Sequence, residues 1–172
     1  MLIGRIFKVP ESGAPAWAAE VESIGAWTQG RTREDAIAML RDWVRTKLEV
    51  ELDHPGVDVQ ITVIGSEGSG GGAFAALVEA DEPTLLGALL LKYQRQVHGL
   101  TVADVARKLG ATHHNAYASY EQGRREPSLG KFCQMLAAVA PDMALTIGPR
   151  QPALRVPPKA ATPRRASHHR HK

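Results

Sequence analysis

Apolar and polar positions alternate or recur along this chain in two distinct regimes. From Leu2 to Val9 the pattern is loosely that of a strand, with Ile3, Ile6, Phe7 and Val9 apolar. Glu11 to Pro15 holds Ser, Gly and Pro and reads as a hairpin turn. Trp17 to Glu22 alternates more cleanly: Trp17, Ala19 and Val21 fall on one face, and Ala18, Glu20 and Glu22 on the other. Gly25 to Gly30 reads as a short strand or turn around Trp27. Thr32 then opens a helix, with Asp35 three residues on as its reciprocal cap. Ala36, Ile37, Leu40, Trp43, Val44 and Leu48 recur every three or four residues, the signature of one buried helical face. His54, Pro55 and Gly56 stop it. Val57, Val59, Ile61 and Val63 alternate with Asp58, Gln60 and Thr62, the cleanest strand pattern in the chain. Ser66 to Gly72 is a glycine-serine loop, and Ala73 to Glu79 reads as a further strand. The order is β-β-β-α-β, with the helix at 32–52 placed to cover one face of an antiparallel sheet.

Beyond Asp81, Glu82 and Pro83 the period changes from two to three and four. Thr84 to Val97 predicts a helix carrying Leu85, Leu86, Leu89, Leu90 and Tyr93. Thr101 caps the next, with Val102, Val105, Ala106 and Leu109 inward and Gly110 at its end in a left-handed conformation. Ala106 and Gly110 are small enough for two helices to cross closely there. Another helix begins near Thr112 to His114 and places Tyr117 and Tyr120 in the core, while Glu121, Gly123 and Pro127 mark its end and the following loop. Ser128 caps a last helix with Leu129, Phe132, Met135, Leu136 and Val139 inward. Met143 to Ile147 suggests a late strand, one able to pair between subunits. From Pro149 onward five prolines, seven basic residues and three histidines leave almost nothing apolar to bury, the composition of a disordered basic tail. The expected division is 1–82, 83–148 and 149–172. The fold class is α+β, a sheet-and-helix unit followed by an all-α helix-turn-helix unit.

Composition adds charge to this picture. Of 172 residues, 44% are hydrophobic, enough for real cores, yet no run of eighteen uncharged apolar residues predicts a membrane span. No basic start followed by an apolar stretch suggests a signal peptide. The single cysteine, Cys133, falls beside the core face of the last helix and fits a reducing cytoplasm better than a catalytic role. The net charge of +3 conceals a gradient. Residues 1–82 carry 7 basic and 14 acidic side chains, residues 83–148 carry 7 and 4, and residues 149–172 carry 7 and none. The acidic front repels polyphosphate and suits a basic protein partner. The basic middle and tail suit nucleic acid.

A helix-turn-helix lays one helix in the major groove of duplex DNA. The residues placed to meet it are Thr112, His113, His114, Asn115, Ser119 and Gln122, of which Asn115 and Gln122 can pair with adenine and the histidines and Ser119 can donate to bases or phosphates, with Arg124, Arg125 and Lys131 for phosphates. His113 and His114 do not suggest a metal site with His168, His169 and His171, because adjacent histidines on a helix point apart and no cysteine or carboxylate stands at ligand spacing. Glu20 and Glu22 are two acids on one strand face. Metal-dependent nuclease chemistry needs more carboxylates converging on Mg²⁺ than the sequence gathers there. The glycine run lacks the lysine and helix of a phosphate loop. The expectation is a protein with no enzymatic activity and no metal or other cofactor.

The order of elements resembles the HicB antitoxins of bacterial type II toxin–antitoxin modules. The front match lies in Trp17 to Val21 and in Gly30-Arg31-Thr32-Arg33-Glu34-Asp35-Ala36, close to the family's G-x-T-x-E-E-A at the helix start. The family's usual Pro-Asp-Leu-Pro-Gly-Cys-like stretch is replaced by Val21-Glu22-Ser23-Ile24-Gly25-Ala26-Trp27. The back part is similar to Xre/Cro-like helix-turn-helix domains through Leu100-Thr101, Ala106, Leu109-Gly110, Asn115-Ala116-Tyr117-Ala118, Tyr120-Glu121, Gly123 and Pro127-Ser128. The resemblance implies a partial ribonuclease-H-like front domain that neutralises a small basic HicA-type ribonuclease toxin. It also implies a back domain that represses its own operon by binding palindromic double-stranded operator DNA as a homodimer or homotetramer in the cytoplasm. The competing expectation is a stand-alone Xre-type transcriptional repressor with a ligand-binding or oligomerisation front domain.

Overall fold

The computed structural model describes residues 1–9, 16–66, 73–111 and 115–145. Five strands, β1 (Leu2–Val9), β2 (Ala16–Val21), β3 (Ala26–Gly30), β4 (Val59–Ser66) and β5 (Phe74–Ala80), form one sheet in the order β3-β2-β1-β5-β4. Every neighbouring pair is antiparallel. The sheet therefore has one strand more than the β-β-β-α-β pattern, because the segment after the glycine run returns between β1 and β4. Ser66 belongs to β4 rather than to the loop, and the register slips between Val63 and Gly65. The expected hairpin turn at 11–15 and the rest of the glycine run lie outside the described residues.

Helix α1 (Arg33–Leu52) is the cover. Thr32 accepts from the Asp35 amide and the Asp35 carboxylate accepts from the Thr32 amide, a complete capping box. Its C-cap is Asp53 in a left-handed conformation, just ahead of the His54-Pro55-Gly56 stop. Ala36, Leu40, Val44 and Leu48 are fully buried against Ile6, Ala19, Val21, Val59, Ala76 and Val78 of the sheet. Thr28 on β3 donates to the Ala19 or Ala36 carbonyl and so ties sheet to helix. The opposite sheet face is thin. Ala18 and Leu77 are buried there outside the main core, Arg5 pairs with Glu20, and Ile3 and Trp27 stay exposed. The strand alternation placed Ala18 on the outward face, where its small size lets neighbours cover it. Glu22 does not share that face with Glu20; it sits in a short 3-10 turn at Glu22–Ile24.

Four helices follow: α2 (Pro83–Val97), α3 (Val102–Lys108), α4 (Asn115–Glu121) and α5 (Leu129–Val139). Helix α2 packs on both halves. Its Leu85, Leu86 and Leu89 join the core cluster that runs on to Val105, Tyr117, Met135 and Val139. Lys92 donates to the Glu51 carbonyl at 2.7 Å, Gln94 donates to the Ser23 carbonyl at 2.8 Å, and the Tyr93 ring sits where a side chain at Gly25 would be.

Helices α2, α3 and α4 end in the same way. In each, a glycine at φ between +63° and +71° donates to the carbonyl three back, and the next residue donates to the carbonyl five back. That is the Schellman arrangement. At Gly110 the left-handed backbone alone demands glycine, since a Cβ there would meet open space; close helix crossing is not its role. At Gly123 the demand is double, because Leu85 fills the space a side chain would need. Two expected placements are corrected on α5: Leu129 is 59% exposed rather than inward, and Cys133 is exposed. Leu129 stands in the first turn of α5, where the helix start faces solvent, and Cys133 lies at the edge of the stripe that Met135, Leu136 and Val139 bury. Met143–Leu145 is not a strand, and residues 146–147 and the 149–172 tail lie outside the described residues.

Candidate nucleic-acid interface

Helix α4 is seven residues long, too short to be stable by itself. Its position is set from behind. Tyr117 and Glu121 are buried, with Tyr120 partly so. The Arg95 guanidinium from α2 grips the Glu121 carboxylate through Nε at 2.8 and 3.0 Å and Nη2 at 2.6 Å, while Nη1 donates to the Leu100 carbonyl at 2.8 Å. One side chain thus joins α2, the loop before α3 and the end of α4. Side-chain exposures of 14% and 5% make this a pair largely withdrawn from water. Such a fork geometry is strong and directional. It holds Arg95 above its ordinary pKa through the Glu121 hydrogen bonds, with burial opposing. The Tyr117 phenol is pushed well above its ordinary range, first by burial and then by the nearby Glu121 charge. Its hydroxyl has no hydrogen-bond partner among the described residues.

The neighbouring α3 is set by a second capping box. Thr101 accepts from the Asp104 amide, and Asp104 accepts from the Thr101 amide at 2.9 Å and hydroxyl at 2.6 Å. These bonds hold the exposed Asp104 carboxyl below its usual value.

With Tyr117 and Glu121 turned inward, helical geometry turns Asn115, Ser119 and Gln122 to the other side. Asn115 and Gln122 are exposed, and Ser119 is partly exposed with its hydroxyl donating to the Ala116 carbonyl at 2.8 Å. Glu121 is the only acid in α4 and is already matched by Arg95, so the outward face of the helix carries no negative charge. Arg124 and Arg125 follow immediately and are exposed; both backbone amides donate to the Ser119 carbonyl, which folds them against the helix end. The Arg125 guanidinium lies 5.2 Å from the Tyr120 ring centroid, a cation–π contact that orients it. Lys131 sits in the first turn of α5, half-buried, and its amide donates to the Ser128 cap. Asn115, Ser119 and Gln122 thus lie along the outer side of α4 and its end, with Arg124 and Arg125 directly after them. Thr112, His113 and His114 lie outside the described residues.

Residues 91–138 match the helix-turn-helix family. The match runs from within α2 through most of α5 and supports an Xre/Cro-like helix-turn-helix in this part of the chain, with α3 and α4 as its two successive helices. It supports a DNA-binding, transcription-regulating class and is consistent with a non-enzymatic protein. No curated protein matches the chain. Among the described residues no helix is long and apolar enough to cross a membrane, and no group of three or more His, Cys, Asp or Glu side chains is placed to share a metal ion.

The residues that sequence reasoning missed are the ones behind the helix. In the sequence Glu121 looks only like a helix terminator, and nothing marks Arg95. The available signal was faint: an arginine where the apolar stripe of α2 runs out, and an acid four residues after an inward tyrosine.

Proposed function

We propose that this chain is a sequence-specific repressor that reads duplex DNA through α4 and serves as the antitoxin of a HicA-type ribonuclease toxin. The observation that carries the DNA reading is the division of α4 into two sides. The inward side is bolted to α2 by Arg95 and Glu121, and the outward side offers Asn115 and Gln122 with no negative charge. Asn and Gln amides can pair with adenine edges in two-bond geometry, and Arg124, Arg125 and Lys131 can meet the flanking phosphates. Thr112, His113 and His114, which precede Asn115 in the chain, complete the proposed contact set. A homodimer or homotetramer would present two such helices about 34–36 Å apart to a palindromic site.

The antitoxin half of the reading rests on the HicB resemblance and on charge. Residues 1–82 would form the partial ribonuclease-H-like, toxin-binding unit, residues 83–148 the DNA-binding unit, and 149–172 a basic tail. In the Gly30–Ala36 segment that carries the resemblance, Thr32 and Asp35 close the start of α1. The balance of 7 basic against 14 acidic side chains in residues 1–82 favours electrostatic capture of a basic partner in the cytoplasm.

The test has two arms. Selection of duplexes from a random pool should enrich a two-fold symmetric sequence; an unenriched pool would contradict the DNA reading. Expression from the native locus followed by affinity purification should yield a small basic protein whose ribonuclease activity this chain suppresses. Recovery of the chain alone, with a symmetric operator, would favour the stand-alone repressor.

A further inference from the structure

A cavity of about 380 Å³ opens where the two halves of the molecule meet. Its walls come from five places: Met1 and Leu2 at the start of β1, the Thr84–Leu91 side of α2, Tyr120 on α4, Pro127 with Phe132 around the start of α5, and Leu145 after α5. Gly87 shapes one wall, since a Cβ there would lie 3.0 Å from the Phe132 ring. Three of the molecule's exposed large apolar side chains, Met1, Leu129 and Leu145, converge on it, and such convergence marks a binding surface rather than scatter. Its volume lies within the range of small-molecule sites, about 300–1,000 Å³.

The chemistry of the lining selects the ligand. Apolar residues dominate the lining; Thr84 and Tyr120 are the lining residues that carry a hydroxyl, and Glu126, which is exposed, is the one with a charged side chain. An exposed carboxylate is screened by water, so the apolar walls rather than a charge select the ligand. Tyr120 also faces the other way in function, because its ring carries the Arg125 guanidinium. Glu126 and Pro127, which line the cavity, follow Arg124 and Arg125 directly in the chain.

We infer that this cavity is an effector site for a neutral, mainly apolar small molecule bearing one hydroxyl or carbonyl. Occupancy pushes on Tyr120 and on the Glu126–Pro127 loop and weakens the hold of Arg124 and Arg125 on phosphate. The ligand site stands on the cavity alone; only its coupling to DNA rests on the function proposed above.

The neutral dye N-phenyl-1-naphthylamine serves as the probe, on the full chain. The expected result is saturable fluorescence enhancement at one dye per chain, with dye-induced methyl NMR shifts concentrated on Met1, Leu90, Leu91, Leu129 and Leu145. Thr84→Phe, which fills the cavity, should weaken the dye at least tenfold, while Thr84→Ser should bind within twofold of the parent; Leu129→Trp is the second filling variant. Dye-induced shifts elsewhere, no saturable binding, or a folded filling variant that binds dye normally would overturn the site. Saturating dye should also lower affinity for the selected duplex at least threefold, in the parent and not in Thr84→Phe. Unchanged DNA affinity at full dye occupancy would overturn the coupling while leaving the site intact. Failure of any duplex to bind, with the dye result as expected, would count against the DNA reading and not against the cavity.

Discussion

The sheet half and the helical half are held together by different physics. Around α1 the fixing is apolar: Ala36, Leu40, Val44 and Leu48 are sealed against a five-stranded sheet. Burial of each large side chain there contributes about 1.5–3 kcal/mol. Around α4 the apolar contacts are fewer and the helices shorter. There the fixing is polar and directional: the Arg95–Glu121 fork, the Thr101–Asp104 capping box and glycine-ended helices. An apolar core tolerates drift of its surface elements, whereas a forked ion pair sets an angle. A helix that must present side chains to a rigid groove needs the second kind of support.

The largest expected effect breaks the polar side of this contrast. Glu121→Ala leaves Arg95 charged and largely buried without its partner, and should cost about 3–5 kcal/mol in urea unfolding. A loss below about 1 kcal/mol would remove the distinction between the halves. On the apolar side Leu40→Ala should cost about 2–5 kcal/mol through lost burial and cavity formation. It should leave DNA affinity unchanged under conditions where the protein stays folded.

The difference between the halves also governed what could be read from sequence. The strands of the sheet and the stripe of α1 follow simple periods, and Thr32, Thr101, Ser128 and Gly110 declare caps through their residue types, so these were legible. Leu129 misled because its spacing from Phe132 fits a helical stripe, while the helix start faces solvent. The extra strand pairing was hidden because nothing local tells β5 to return between β1 and β4. The outward set Asn115, Ser119 and Gln122 followed from the inward tyrosines. Arg95 and Glu121 did not, since their partnership spans 26 positions and neither type announces burial.

Smaller effects sharpen the picture. Gly110→Ala should cost about 1–2 kcal/mol for its left-handed backbone. Gly123→Ala should cost more, because Leu85 must also move; equal losses in thermal unfolding would contradict the close contact. Acid should act on the sheet half through Glu51. Burial alone would raise that carboxyl, but the hydrogen bonds and charges of Lys47 and then Lys92 prevail and hold it below 4.5. The stability this provides is present above that value and is lost as pH falls through the lower folded pKa, so Glu51→Gln should flatten the acid limb of the stability curve. Tyr117→Phe removes a buried hydroxyl without a partner and should be neutral or stabilising by up to about 1 kcal/mol. A clear destabilisation would mean the phenol contributes to the α4 support.

The central claim is that α4 is rigidly held so that its outer face can read DNA, and the Asn115→Ala, Gln122→Ala double variant tests it most directly. Titrated against the duplex that the parent chain selects, it should lose about 1–3 kcal/mol of affinity for each base contact removed, with unfolding stability preserved. Undiminished affinity and an unchanged footprint in a folded double variant would contradict the account.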